Sequence, residues 1–258
     1  MKSCLRGMVV GGALLALLLG CVTETVGGKE PEVDPDAALE RRVDLARQYI
    51  GRGDWENAKR NLELANDLNP DNPAVHEAFG LVYQSTGEYD RAEDSFKRAL
   101  RIDPSFSRAR NNYAAFLFFL GRFQEAEAQF SIVSDDPLYS GRPLAYINLG
   151  MTRLNLGDNA GAEEAFTRAL RMDRRNPMAL LEMGYLRLAA DDVTGAEAYY
   201  GIYRTVVPRQ SPRGLVLGIE ISGAAGDLDA QSSYELALRN LYPDSPEYRA
   251  WQAQQGVQ

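Results

Sequence analysis

Cysteine and histidine are nearly missing from this chain. Its 258 residues include two cysteines, Cys4 and Cys21, and one histidine, His76. Beyond residue 21 there is no thiol to form a disulfide, act as a nucleophile or bind a metal. A lone histidine removes most hydrolytic triads and most zinc sites, which draw on several His or Cys ligands. His76 lies three residues after Pro73 in a helical pattern and reads as an ordinary surface or partly packed side chain. Positive charge is also short: 28 Lys and Arg stand against 36 Asp and Glu, a formal charge of −8. That balance opposes nucleic acid as a partner, because phosphate binding needs a basic footprint. There is no Gly-rich phosphate loop, since Gly11-Gly12 falls in the apolar N-terminal run. That run, Met8 to Leu19, has 12 residues, and a membrane-spanning helix needs about 20. The expectation is a binding protein and not an enzyme, with no cofactor, no metal and no small-molecule substrate.

What is present begins with targeting. Lys2 and Arg6 precede the apolar run, as in a secretory signal peptide. The run ends Leu18-Leu19-Gly20-Cys21, which resembles the bacterial lipobox, with cleavage before Cys21 and lipid on its sulfur. Residues 1–20 are therefore expected to be removed, and loss of Lys2 and Arg6 would take the charge from −8 to −10. Acyl chains at about 0.8 kcal/mol per buried CH₂ would anchor the chain to a membrane. Val22, and not Asp, follows Cys21; by the known sorting rule for such lipoproteins this implies the outer membrane. Residues 21–38 carry two prolines, a Gly pair, acidic charge and no apolar period, and read as a lipidated cysteine and flexible tether.

From Leu39 a period of 34 residues appears. In unit 73–106, Gly80, Tyr83, Gly87, Tyr89, Ala92, Phe96, Ala99 and Pro104 occupy positions 8, 11, 15, 17, 20, 24, 27 and 32. This resembles the tetratricopeptide repeat at every position. Small residues at 8, 20 and 27 let two helices approach, aromatics fill the rest, and proline stops the second helix. Units 39–72, 107–140, 143–176, 177–210 and 211–244 repeat the pattern more loosely, with Gly141 and Arg142 interrupting the register. The predicted fold is all-α: a right-handed superhelical solenoid of six such helix-turn-helix repeats over 39–244. Residues 245–258, with Tyr248 and Trp251, are expected to cap the last repeat.

The first helices of such a solenoid line its inner face, the usual ligand surface. The resemblance to the tetratricopeptide repeat implies that positions 2, 5, 6, 9, 12 and 13 of those helices face the groove. They give Ala74, Glu77, Leu81 and Gln84, then Arg108, Asn111, Asn112, Ala115, Phe118 and Phe119. The next two units give Leu144, Ile147, Asn148 and Met151, then Met178, Leu181, Tyr185 and Leu188. Asn112 and Asn148 share position 6 in successive units. An amide offers both donor and acceptor and can hold an extended backbone without reading its side chains. The predicted partner groove comprises Leu81, Arg108, Asn111, Asn112, Ala115, Phe118, Phe119, Leu144, Ile147, Asn148, Met151 and Tyr185. Apolar side chains flanked by amides suit a peptide or protein ligand.

Several segments resemble the type IV pilus biogenesis lipoproteins of the PilF/PilW family. They are Arg110-Asn111-Asn112-Tyr113-Ala114-Ala115-Phe116-Leu117, Asp135-Asp136-Pro137-Leu138-Tyr139 and Ala145-Tyr146-Ile147-Asn148-Leu149-Gly150. Toward the end, Ser211-Pro212-Arg213-Gly214-Leu215-Val216-Leu217-Gly218-Ile219 and Leu241-Tyr242-Pro243-Asp244-Ser245-Pro246-Glu247-Tyr248 continue the likeness. Departures are a longer acidic tether and Ala115 where the resemblance leads one to expect a second glycine. The resemblance implies a pilotin: an outer-membrane lipoprotein scaffold, facing the periplasm, that binds the pilus secretin and promotes its localisation and multimerisation. The alternative is another lipid-anchored repeat adaptor, serving outer-membrane barrel assembly or cell-wall enzymes.

Overall fold

A computed structural model describes residues 34–254 and 256. The expected signal peptide over 1–20, the expected lipidation site Cys21 and most of the expected tether lie outside the described residues. Among those described there are thirteen α-helices and no strand. Six pairs follow one another: α1 (Pro35–Gly51) with α2 (Trp55–Leu68), α3 (Pro73–Thr86) with α4 (Tyr89–Ile102), and α5 (Ser107–Phe119) with α6 (Phe123–Ser134). Then come α7 (Arg142–Asn155) with α8 (Asn159–Met172), α9 (Pro177–Ala189) with α10 (Val193–Val206), and α11 (Pro212–Ala225) with α12 (Leu228–Leu241). A last helix, α13, covers Pro246–Gln254.

One boundary differs from expectation. The expected tether runs to residue 38, but α1 begins at Pro35. Proline is favourable in the first turn of a helix, where its missing N–H has no partner in any case. Asp34-Pro35-Asp36 is thus a helix start, and the acidic Asp36 suits the positive end of the helix dipole.

Local chemistry sets the pairs. Asn72, Asn176 and Ser211 cap the first helices of their repeats by accepting backbone N–H bonds, each with proline next in sequence. Asp54, Asp158, Asp192 and Asp227 do the same for second helices. The turn inside a pair needs one left-handed residue, supplied by Gly53, Gly87, Gly121, Gly157 and Gly226. The fifth repeat has Asp191 there instead, at φ 58°.

The first five pairs each close around one large side chain at position 24. Leu62, Phe96, Phe130, Phe166 and Tyr200 are buried, and the alanines at position 20 from Ala58 to Ala196 are fully so. Position 8 must be small: a Cβ on Gly80 would lie 2.6 Å from the Phe96 ring, and one on Gly150 would lie 2.6 Å from Phe166. Between repeats three and four the two extra residues make a compact loop. Asp136 accepts the Leu138 amide at 2.9 Å and the Ser107 hydroxyl at 2.5 Å, and Tyr139 packs over Gly141 against the core. At the far end Tyr248 and Trp251 stack at 5.9 Å and join Leu215, Ile219 and Leu238. That cap is partial, because α13 lies on α11 and leaves Leu228, Leu236 and Leu241 of α12 exposed.

Candidate functional site

The first helices stand side by side, α1 against α3, α3 against α5, α5 against α7 and α9 against α11. The exposed face that they share is the wall where the groove is expected. In its middle α5, α6, α7 and α9 border an open pocket of about 230 Å³ lined by Ala115, Phe118, Phe130, Asn148, Met151 and Met178. Four of the residues predicted from position alone, Ala115, Phe118, Asn148 and Met151, therefore meet at one place. Position 2 extends the apolar surface: Leu144 is 54% exposed and Met178 48%. Phe118 is fixed edge-on to Phe123 at 5.2 Å. Asn148 is half-buried, and its side-chain amide makes no hydrogen bond among the described residues.

Other predicted groove residues are placed differently. Asn111 is only 8% exposed and Ile147 only 2%; both are core residues and not groove lining. Position 5 turns toward the neighbouring first helix, so Leu181 and Glu77 are buried with them. Leu81 is half-buried against the core. Phe119 is exposed but stacks edge-on with Tyr89 of α4 at 5.7 Å, outside the pocket.

Asn112 is not a free clamp. Its Nδ2 donates to Glu77 at 2.6 Å. Glu77 is 1% exposed and also takes Arg47 at 2.8 Å, with Arg108 Nε at 3.7 Å. A buried carboxylate is tolerated only with such partners. This cluster ties the first helices of repeats one, two and three together. The Asn111 Oδ1 beside it has no protein partner, its Nδ2 reaching only the Asn112 Oδ1 at 3.5 Å. Burial lowers the Arg108 pKa, with Glu77 opposing that shift.

A second buried carboxylate lies beyond the pocket. Glu182, 1% exposed, is gripped by both terminal nitrogens of Arg213, one of them at 2.7 Å. The same guanidinium covers the Tyr185 ring at 4.7 Å, while Tyr185 Oη donates to the Arg213 carbonyl at 2.7 Å. Burial raises the Tyr185 pKa, which keeps the phenol a neutral donor. Tyr185 thus belongs to the α9–α11 contact. His76 is buried and donates from Nε2 to the Pro70 carbonyl at 2.7 Å, with its pKa lowered by burial: a structural histidine.

Position counting missed Phe130, which reaches the pocket floor from a second helix, and Arg47 and Arg213. Arg47 stands at position 9 of unit 39–72, so extending the same reading to the first unit would have found it. Arg213 stands at position 3, outside the set used.

The class of protein is now defined: a tetratricopeptide-repeat solenoid with an apolar, amide-edged pocket on the first-helix wall, the form of a protein-binding scaffold. Family models for the tetratricopeptide repeat match residues 43–105 and 147–206, and another matches 83–137. The type IV pilus assembly protein PilF of Pseudomonas aeruginosa is 34% identical over 254 residues, 96% of this chain and 100% of that protein. The solved structure of Pseudomonas aeruginosa PilF superposes with a TM-score of 0.80 at 34% identity, covering 85% of this chain and 99% of that one. The crystal structure of PilW, a widely conserved type IV pilus biogenesis factor, gives 0.72 at 29% identity, covering 82% and 97%. The chain belongs to the PilF/PilW family of type IV pilus biogenesis proteins.

Proposed function

We propose that this protein is a pilotin, a lipid-anchored adaptor that carries the type IV pilus secretin to the outer membrane and promotes its multimerisation. The carrying observation is likeness to PilF along nearly the whole chain, 96% of it at 34% identity. The lipobox at Leu18-Leu19-Gly20-Cys21 supplies the anchor in this reading. The first-helix wall supplies the partner surface, since it presents an apolar pocket with Leu144 and Met178 exposed beside it. Division of labour follows: lipid determines where the complex goes, and the repeats determine what goes with it.

The test replaces the chromosomal gene with variants. Cys21→Ser is expected to remove the protein from the outer-membrane fraction and to reduce secretin multimers on an immunoblot. Leu144→Asp with Met178→Asp is expected to leave the protein in that fraction but to end its co-purification with secretin. Normal sorting of the first variant would overturn the anchor, and wild-type capture by the second would move the partner surface elsewhere.

A further inference from the structure

The pocket between α5, α6, α7 and α9 has a specific origin in sequence. Position 9 of the first helix carries Leu81, Met151 and Tyr185 in three repeats, but Ala115 in the third. The short side chain leaves a space that Phe118, Met151 and Met178 surround and that Phe130 floors. None of the six lining residues is charged. The volume is about 230 Å³; a dry cavity of about 150 Å³ already admits benzene. Methionine adapts its unbranched chain to different apolar shapes, and two of the walls are methionine. The one polar group on the lining is Asn148, whose amide has no intramolecular hydrogen bond among the described residues.

From these features we infer that the pocket is a subsite for one large, uncharged apolar residue of an extended peptide segment. The residue's side chain fills the space left by Ala115. The Asn148 amide pairs with the backbone of the same stretch, donating to a carbonyl and accepting from an N–H. Leucine, phenylalanine and methionine fit alike, because the Met151 and Met178 walls adjust. Alanine leaves the space empty, and a charged residue loses hydration with no counter-charge. A fatty acyl chain, the other apolar occupant, has no use for the amide. The inference rests on the pilotin reading only for the identity of the segment's owner; the subsite is defined by the pocket itself.

The test uses the full-length protein labelled with ¹³C at the methionine methyls, titrated with capped tripeptides Gly-Xaa-Gly. With Xaa as Leu or Phe, the Met151 and Met178 methyl signals are expected to shift to saturation. With Xaa as Ala, binding is expected to weaken at least about tenfold, the loss from leaving a Leu-sized apolar surface unburied. Ala115→Leu fills the pocket with a residue that the second repeat already carries at this position, and is expected to abolish the shifts with circular dichroism unchanged. Asn148→Ala is expected to weaken the tripeptides about threefold to tenfold, the net worth of a hydrogen bond or two. Absence of methyl shifts with Leu and Phe up to their solubility limit, or unchanged shifts in Ala115→Leu, would overturn the subsite. So would binding of an octyl chain that is indifferent to Asn148→Ala while the tripeptides fail. Tripeptide binding together with undiminished secretin capture by Ala115→Leu would uphold the subsite and remove it from the pilotin reading.

Discussion

Position 8 offers the sharpest test of how the repeats are packed. Adding a Cβ to Gly80 brings it to 2.6, 2.7 and 2.8 Å from three atoms of the Phe96 ring. The ring cannot slide away easily, since Phe96 touches Phe116 at 5.7 Å and Tyr113 at 6.1 Å between centroids. Gly80→Ala therefore has two opposed effects. Replacing glycine inside a helix gains about 1 kcal/mol, and overpacking the core costs about 1–3 kcal/mol. The expected net is a destabilisation of about 1 kcal/mol. Phe96→Leu alone leaves part of the core unfilled, at a cost of about 1–2 kcal/mol. The double variant restores a pair already present in the first repeat, where Ala46 faces Leu62 and both are fully buried. It is expected to be less destabilised than the sum of the singles by at least about 1 kcal/mol. Urea unfolding followed by circular dichroism, with midpoints compared at constant slope, measures all four proteins. Additivity within about 0.5 kcal/mol would refute the claim that positions 8 and 24 make one packing unit.

Three other expectations follow from the same structure. Asp191→Gly relieves a left-handed residue and should raise Tm, by about 0.5–1 kcal/mol of stability; a lower Tm would mean the Asp191 side chain stabilises the turn. Glu93 accepts from Arg122 at 2.7 Å, which with Lys97 and Tyr113 holds its pKa down at about 2. A depressed carboxylate stabilises above its ordinary range and loses that contribution as pH falls toward 2, so Glu93→Gln should flatten the decline in stability below about pH 4.5; an unaltered acid titration of stability would refute it. Arg213→Ala should cost about 1–3 kcal/mol by stranding the Glu182 carboxylate, discounted because water replaces a half-exposed guanidinium. Adding Glu182→Leu should recover much of that loss in the same unfolding assay, and no recovery would show that the arginine acts through Tyr185 alone.

The architecture was legible because its determinants recur at fixed intervals. Ala92, Phe96 and Ala99 lie in one unit, and their equivalents return 34 residues earlier, so the helix-pair interface is written into a single strip of sequence. The groove was legible in part. Positions 2 and 9 emerged on the open wall with Leu144, Met178 and Met151, but position 5 did not. A first helix has neighbours on both flanks, and a residue near the edge of the exposed stripe is covered by the next first helix. That is why Asn111 and Ile147 are buried. The ion pairs were not legible. Arg47 meets Glu77 across 30 residues, and Asn112 meets it across 35, so each bond joins neighbouring repeats and depends on their mutual rotation. The start of α1 is not legible because the apolar period begins only at Leu39, whereas Pro35 initiates the helix a turn earlier.

The incomplete cover of α12 has a kinetic consequence. Alanine at position 20 is fully buried in the first five repeats, but Ala230 of the sixth is only half-buried, and Leu228 is 70% exposed. In a linear array each repeat draws its stability from the neighbours it touches, so opening should begin at this end and travel inward. Amide hydrogen exchange would appear as a gradient, fastest along α12 and slowest through α5 to α8. Proteases would trim the chain from the same side and leave the central repeats as the resistant fragment. Ala115, Phe118, Phe130, Asn148 and Met151 would lie within that slow-exchanging core, with Met178 of α9 at its edge, so that most of the pocket's walls would keep their spacing while the end of the array breathes.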